Sequence, residues 1–167
     1  MSRRFTWSVI IAGIVGICLL FLPFIRVLEI VDFKTQRKLQ LIRIRTGEEF
    51  TISFIHSVNR RPVYDTIRAE NDLLVIVRSR YDSFGAGMPE SSTGEGTLSV
   101  AEDGWIIWTV NRTAPDLTVR VGWTAEHTLL IRDLKIRLAE LAEPGSAVTM
   151  RVQKINMIDF LKGGSVK

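Results

Sequence analysis

The feature that most constrains this chain is an uncharged run near its amino terminus, FTWSVIIAGIVGICLLFLPFI, which extends over the 21 positions from Phe5 to Ile25. About 20 apolar residues span the hydrocarbon core of a bilayer as a helix, so the run predicts a transmembrane helix. Arg3 and Arg4 precede the run, as basic residues do in a secretory signal. A signal has a shorter apolar region and ends in a small-x-small pair, which LPFIRVLEI does not contain. We therefore expect a retained anchor over residues 1–26.

Small residues recur on one face of the predicted anchor. Ser8, Ala12 and Gly16 follow one another at four-residue spacing, and Gly13 lies beside them. Such a face lets a second helix approach closely, so these four residues are candidates for packing against a partner's helix. The alternative is that glycine and alanine are simply frequent in membrane helices.

The orientation of the anchor does not follow from charge alone, because basic residues flank both ends of the apolar run. The short basic start favours a cytoplasmic amino terminus, and long following domains cross the membrane largely regardless of their charge. We therefore expect the remainder of the chain to be exported.

After the anchor the pattern changes to the alternation of apolar and polar residues that is typical of half-buried strands. The alternating stretches are RKLQLIRIR, EEFTISFIHSV, PVYDTIRAE, LLVIVRSRY, GTLSV, GWIIWTV, LTVRVGW, HTLLI and AVTMRVQKI. Turn-like segments such as TGEE, AEDG and EPGS separate them. This spacing predicts one all-β domain over residues 27–167, a sandwich or barrel-like fold of about eight to ten mostly antiparallel strands. Helix is expected only in the anchor and in NMIDFLKGG near the end.

Charge and composition argue against several classes of function. The formal net charge is +4, and acidic residues are interspersed with the basic ones, whereas a nucleic-acid reader carries a stripe of Lys and Arg. Cys18, the only cysteine, lies inside the apolar run, so we expect neither a disulfide nor a thiol nucleophile in the β-domain. The two histidines, His56 and His127, have no partners at metal-ligand spacing, so no metal and no cofactor is expected.

A hydrolase hypothesis arises from His56 and Ser57, with Asp65 or Asp82 as a third member. Neighbouring residues of one strand point to opposite faces of the sheet, so this pair would not share a proton. The sequence also has no G-x-S-x-G motif. We therefore predict that the protein is not an enzyme and that His56 is a hydrogen-bonded residue at a strand end.

Two stretches interrupt the alternation with residues that are unusual for solvated turns: FIHSVNRRPVYD and YDSFGAGMPE. Their combination resembles a bacterial family, domain of unknown function 1850 (DUF1850). The residues that carry the resemblance are His56, Ser57, Val58, Pro62 and Val63, then Tyr81, Ser83, Phe84, Gly85, Ala86, Gly87 and Pro89, and later Asp103 to Trp105. The resemblance covers most of the chain after the anchor.

The resemblance implies a small membrane-anchored or exported protein, often encoded beside TAXI-type TRAP (tripartite ATP-independent periplasmic) solute transporters. It implies no catalytic activity. We therefore expect a non-catalytic accessory subunit of such a transporter, single-pass in the bacterial inner membrane with a periplasmic β-domain. Its partners would be the transporter's membrane subunits, with its solute-binding protein as a further candidate. The alternative is a membrane-tethered ligand-binding domain that acts independently of a transporter.

The loop and the turn are the predicted docking site of the β-domain. LLVIVRSRY and PVYDTIRAE are joined by a short link around Asn71, so they are expected to pair as a hairpin that brings the two stretches together. Phe84 and Met88 would form an apolar centre with a charged rim. The alternative is that the loop only plugs the core with Phe84. The predicted docking residues are His56, Arg60, Arg61, Pro62, Tyr81, Asp82, Ser83, Phe84, Gly85, Ala86, Gly87, Met88 and Pro89.

Overall fold

A computed structural model describes Trp7, Gly13 and residues 20–163 of the chain. The strands are β1 (Ile25–Asp32), β2 (Lys38–Arg43), β3 (Glu49–Ile55), β4 (Pro62–Glu70), β5 (Leu73–Tyr81), β6 (Thr97–Val100), β7 (Ile106–Ala114), β8 (Asp116–Arg120), β9 (Thr128–Ile131), β10 (Leu134–Arg137) and β11 (Ala147–Ile155). Two short helices are α1 (Leu138–Leu141), between β10 and β11, and α2 (Met157–Gly163). The second confirms the helix predicted near the end of the chain.

The strands form two antiparallel sheets. The four-stranded sheet has the order β2-β1-β11-β8, and the seven-stranded sheet has the order β10-β9-β3-β4-β5-β7-β6. Buried residues from both sheets pack into one core, among them Leu28 and Met150 from the first and Phe50 and Ile67 from the second. The prediction of an all-β sandwich is confirmed. The described part of the chain has eleven strands, slightly more than the eight to ten expected.

The alternation of apolar and polar residues in the sequence did not predict β1 and β10. β1 is buried on both faces, because Leu28 lies in the main core while Val27 packs under α2 on the outer face of its sheet. A strand buried on both faces reads as a continuous apolar run. β10 has only four residues, too few for a pattern to stand out. It forms the edge of the seven-stranded sheet beside β9.

The predicted anchor falls mostly outside the described residues, as do Ser8, Ala12 and Gly16. Gly13 is helical, and a Cβ added there would meet no atom within 4 Å. Among the described residues, no helix combines the length and the apolar character needed to cross a bilayer. β1 begins at Ile25, so its first two residues precede the boundary expected after residue 26.

A second, smaller core lies at one end of the seven-stranded sheet. Val63, Tyr81, Ile106 and Trp108 are buried there on β4, β5 and β7. Met88, from the segment that links β5 to β6, packs against this cluster. That long segment is therefore a lid over part of the larger sheet, which explains why the link is longer than a hairpin turn requires.

Candidate functional site

The turn after β3 and the loop after β5 lie side by side. β4 and β5 pair as an antiparallel hairpin in which Val63 is opposite Tyr81. The start of β4 and the end of β5 are therefore neighbours, as the hairpin prediction required. We call residues 56–61 and 82–90 together the turn–loop face. The structure brings the predicted docking residues together on this face or at the strand ends beside it.

Asn59 connects the two halves of the turn–loop face. Its Nδ2 donates hydrogen bonds to the carbonyl oxygens of Ser83 and Phe84, each at 3.2 Å. Its Oδ1 accepts a hydrogen bond from the backbone N–H of Arg61 at 3.1 Å. Asn59 was not among the predicted docking residues, because an asparagine in a turn is unremarkable until the second segment is placed against it.

A charged pair forms a second connection. Arg61 Nε donates to Asp82 Oδ1 at 3.0 Å, and the guanidinium also contacts the other carboxylate oxygen. The hydrogen bond from Arg61 lowers the pKa of the Asp82 carboxyl, and the same contact raises the pKa of Arg61. Both groups therefore stay charged over the whole neutral range.

The two glycines of the loop have different physical roles. Gly87 has φ of +81°, a left-handed conformation that favours glycine. Gly85 is required by close packing instead, because a Cβ there would lie 3.0 Å from both Asn59 Nδ2 and His56 Cε1. A positive φ therefore explains the glycine at 87, whereas packing against the turn explains Gly85.

Tyr81 and Met88 fasten the loop to the smaller core. Tyr81 is buried, and its hydroxyl donates to the carbonyl oxygen of Pro89 at 2.7 Å. Burial raises the pKa of this hydroxyl, so Tyr81 remains a donor. Met88 is partly buried against the cluster around Tyr81. The loop thus has its core contact through Met88.

Phe84 is different, because its side chain is 44% exposed. Its ring meets the edge of the Tyr81 ring with 6.1 Å between centroids. Val58, in the turn of the same face, is 66% exposed. Phe84 is therefore only partly buried, and the face presents apolar side chains to its surroundings.

The remaining predicted docking residues occupy defined places on or beside the face. Arg60 and Ala86 are exposed, whereas Ser83 is partly buried. Pro62 opens β4 opposite Ile55. His56 accepts a hydrogen bond from the N–H of Val58 at its Nδ1, at 3.3 Å.

Beneath the face, a cleft opens between the two sheets. A cavity of about 500 Å³ is lined by Phe54, His56, Asp65 and His127 on one side and by residues 117–120 of β8 on the other. A second cavity of about 350 Å³ shares Phe54, His56 and Asp65 with the first and extends to the lid loop. The two cavities meet at these shared side chains.

Asp65 is a carboxyl on the inner, largely apolar face of the seven-stranded sheet. Its Oδ1 accepts the hydroxyl of Ser79 at 2.5 Å. Burial raises the pKa of Asp65, and this effect outweighs the hydrogen bond from Ser79, which lowers it. The sequence suggested Asp65 only as a third member of the rejected hydrolase set and not as a residue of a cleft. The sequence does contain an indication that Asp65 is unusual. Val63, Asp65 and Ile67 share one face of β4, and Val63 and Ile67 are both apolar and buried.

His127, which has no partner at metal-ligand spacing in the sequence, lies in the wall of the larger cavity. Its ring stacks on Phe54 with 5.4 Å between centroids, and its Nδ1 accepts the N–H of Gly122 at 3.4 Å. Burial lowers the pKa of His127, so the imidazole is neutral near neutral pH and carries its proton on Nε2. Within the described ranges, no cluster of three or more His, Cys, Asp or Glu side chains is placed to hold a metal.

His56 and Ser57 are not neighbours within a strand. β3 ends at Ile55, so His56 and Ser57 lie in the turn and the alternation of a strand does not apply to them. Both residues line the larger cavity. The Nδ1 of His56 is already occupied by the Val58 N–H, which is the contact of a turn-stabilising histidine.

The sequence of this region matches one known protein family. Residues 50–138 match the family described as "Domain of unknown function (DUF1850)", over more than half of the chain. The chain belongs to the DUF1850 family. The DUF1850 match extends from β3 to the start of α1 and includes the whole turn–loop face and the Asp65 cleft. No curated protein and no solved structure matches the chain.

Proposed function

We propose that this DUF1850 protein is a non-catalytic accessory subunit of a TAXI-type TRAP transporter. In this proposal the amino-terminal apolar run anchors the chain in the bacterial inner membrane with its amino terminus in the cytoplasm. The β-domain then lies in the periplasm, and the turn–loop face docks on a membrane subunit of the transporter. Ser8, Ala12, Gly13 and Gly16 would pack against a helix of that subunit.

The observation that supports docking most directly is the exposed ring of Phe84, on a loop whose backbone is held by hydrogen bonds from Asn59. Interface hot spots are enriched in aromatic side chains at the centre of a patch with a polar rim. Phe84 is 44% exposed on the face that also carries the exposed Val58 and the Arg61–Asp82 pair. The Asn59 hydrogen bonds hold the backbone at Phe84, so little conformational entropy is lost when a partner binds.

The second candidate function is that of a membrane-tethered ligand-binding domain. The larger cavity favours it, since its volume of about 500 Å³ lies within the range of roughly 300–1,000 Å³ that ligand pockets have. An independent ligand-binding domain would purify without a transporter subunit.

The test is co-purification of the tagged full-length chain with a co-expressed TAXI-type TRAP membrane subunit from detergent-solubilised membranes. Phe84→Ala is expected to abolish recovery of the subunit, because it removes the centre of the proposed contact. Leu73→Ala is the matched control. Leu73 is 42% exposed, close to the 44% of Phe84, and it lies at the opposite end of β5.

A thermal unfolding measurement on both variants separates docking from core packing. Phe84→Ala removes a half-exposed ring and one edge contact, so it should cost less than the roughly 3–5 kcal/mol of a buried aromatic. Equal recovery of the subunit with both variants would remove the docking role of Phe84. A loss of stability at the level of a buried aromatic would show that the loop serves the core.

A further inference from the structure

The edge strand β8 has an open side. β8 lies at the end of the four-stranded sheet, where β11 is its only neighbour among the strands of residues 20–163. Just beyond β8, the N–H of Val121 donates to Ser146 at 2.9 Å, and the carbonyl of Val121 accepts from Gly145 at 2.8 Å. Val121 therefore directs both backbone groups towards the β11 side.

The direction of the other backbone groups follows by alternation. In an antiparallel pair, successive residues point their N–H and C=O alternately towards and away from the partner strand. Leu117 and Val119 have the same direction as Val121, so Thr118 and Arg120 direct theirs away from β11. The hydroxyls of Thr118 and Thr149 lie 2.9 Å apart, as expected for two residues opposite each other without backbone bonds between them.

This open edge borders the cleft. Four consecutive residues of β8, Leu117–Arg120, line the larger cavity opposite Phe54 and Asp65. The adjoining cavity continues from these shared side chains to Met88 and Pro89 of the lid loop. A groove thus leads from the backbone edge of β8, over the Asp65–Ser79 pair, to the lid.

We propose that this groove binds an extended peptide segment of a partner protein, which adds a strand to the four-stranded sheet beside β8. The edge offers two N–H donors and two carbonyl acceptors at the spacing of alternate strand residues, and the backbone of another strand matches that pattern. A paired strand would lie about 4.7–4.9 Å from β8. Its alternate side chains would face Phe54, and one of them would supply a hydrogen-bond donor to Asp65.

The peptide site is separate from the exposed aromatic of the proposed docking face. Phe84 lines neither cavity, whereas Arg120 lies on β8, in the other sheet. The groove shares His56, Met88 and Pro89 with the turn–loop face, so the two proposals are separated by their variants: Arg120→Pro tests the peptide site and Phe84→Ala tests the transporter role.

The probe is a phage-displayed library of random linear peptides, selected on the full-length chain in detergent. An enriched peptide is then synthesised and its Kd is measured for three variants. Arg120→Pro removes one N–H from the open edge without removing a bond to β11, since proline is tolerated where the N–H of an edge strand faces away from the sheet. We expect its Kd to rise about tenfold or more, because a peptide carbonyl loses its donor.

Two variants serve as controls. Val100→Pro makes the same change on β6, an edge strand of the other sheet, where Val100 is 69% exposed. This variant should bind the peptide as the unmodified chain does. Phe84→Ala should also leave the Kd unchanged. In the unmodified chain, the amides of Thr118 and Arg120 should exchange with solvent more slowly when the peptide is bound, a readout that does not depend on any variant.

Several outcomes would overturn the proposal. They are failure of the library to yield a binder, equal affinity for Arg120→Pro, and unchanged amide exchange at both residues. A concentration-dependent dimer that Arg120→Pro abolishes would show instead that a second copy of β8 occupies the edge. Peptide binding that Phe84→Ala removes and Arg120→Pro leaves intact would place the peptide at Phe84 and not beside β8.

Discussion

Replacing Asn59 by aspartate tests whether one side chain holds the turn and the loop together. Asn59→Asp keeps the shape of the side chain and the acceptor for the Arg61 N–H at 3.1 Å. It removes the two hydrogen bonds that Nδ2 donates to Ser83 and Phe84. It also places a carboxylate oxygen about 3.2 Å from each of these two carbonyl oxygens.

The size of the destabilisation follows from the two hydrogen bonds that Asn59→Asp removes. A hydrogen bond contributes about 0.5–1.5 kcal/mol net, so two of them contribute about 1–3 kcal/mol. Asn59 is only partly buried, and solvent can reach the freed carbonyls, which favours the lower half of that range. For a chain of this size, about 1–2 kcal/mol corresponds to a fall in Tm of roughly 2–8 °C.

The loss of stability caused by Asn59→Asp should also depend on pH. The carbonyl oxygens disfavour the charged form, so the folded-state pKa of the introduced carboxyl is raised above its usual value of about 3.9. The destabilisation is then complete near neutral pH and becomes smaller as the pH falls through the folded-state pKa. Below the usual value the protonated carboxyl can donate one hydrogen bond again.

The assay is thermal unfolding of the full-length chain at neutral and acidic pH, with hydrogen exchange at the loop amides as a local readout. Asn71→Asp is the matched control, because it makes the same chemical change at an exposed position in the β4–β5 turn. If Asn59→Asp lowers Tm no more than Asn71→Asp does, or leaves exchange in the loop unchanged, Asn59 does not connect the two segments.

Two further predictions concern the cleft and the lid. Asp65→Asn should raise the free energy of unfolding near neutral pH, because the raised pKa of Asp65 means that its ionisation destabilises the folded state. This gain over the unmodified chain should shrink as the pH falls towards 3.8, the ordinary pKa of the carboxyl. A gain that does not depend on pH would contradict this cause. Gly96→Ala should lower the free energy of unfolding by about 1–3 kcal/mol, because its Cβ would lie 2.6 Å from the carbonyl oxygen of Thr109 and 2.7 Å from the Trp108 ring. Gly94→Ala, whose Cβ would meet no atom within 4 Å, is the control in a denaturant titration, and equal effects of the two changes would rule out the close approach as the cause.

Much of the secondary structure follows from local sequence pattern. The stretches PVYDTIRAE, LLVIVRSRY and AVTMRVQKI coincide with β4, β5 and β11. Alternation succeeds there because these strands each have one face that is more buried than the other. The β4–β5 hairpin was also predictable, since Asn71 adopts φ of +53°, a conformation that asparagine tolerates in a tight turn.

The placement of the docking residues depended partly on that hairpin. Once β4 and β5 pair, the turn before β4 and the loop after β5 must be neighbours, and the sequence alone predicts this. The division of roles within the loop did not follow, because Phe84 and Met88 are both large and apolar. Which of them faces the core depends on how the lid crosses β5 and β7.

The sequence by itself determined the all-β class, most strand positions, the central hairpin and the adjacency of the turn and the loop, because each depends on side-chain alternation or turn chemistry within a few residues. Only the tertiary structure decided that Asn59 joins two segments, that Asp65 lies in a cleft, and that β8 is an edge. These features depend on pairing between distant strands, such as β1 with β11 and β8 with β11. Local pattern specifies which residues can form a strand, whereas the packing of two complete sheets specifies which edges and polar groups remain open.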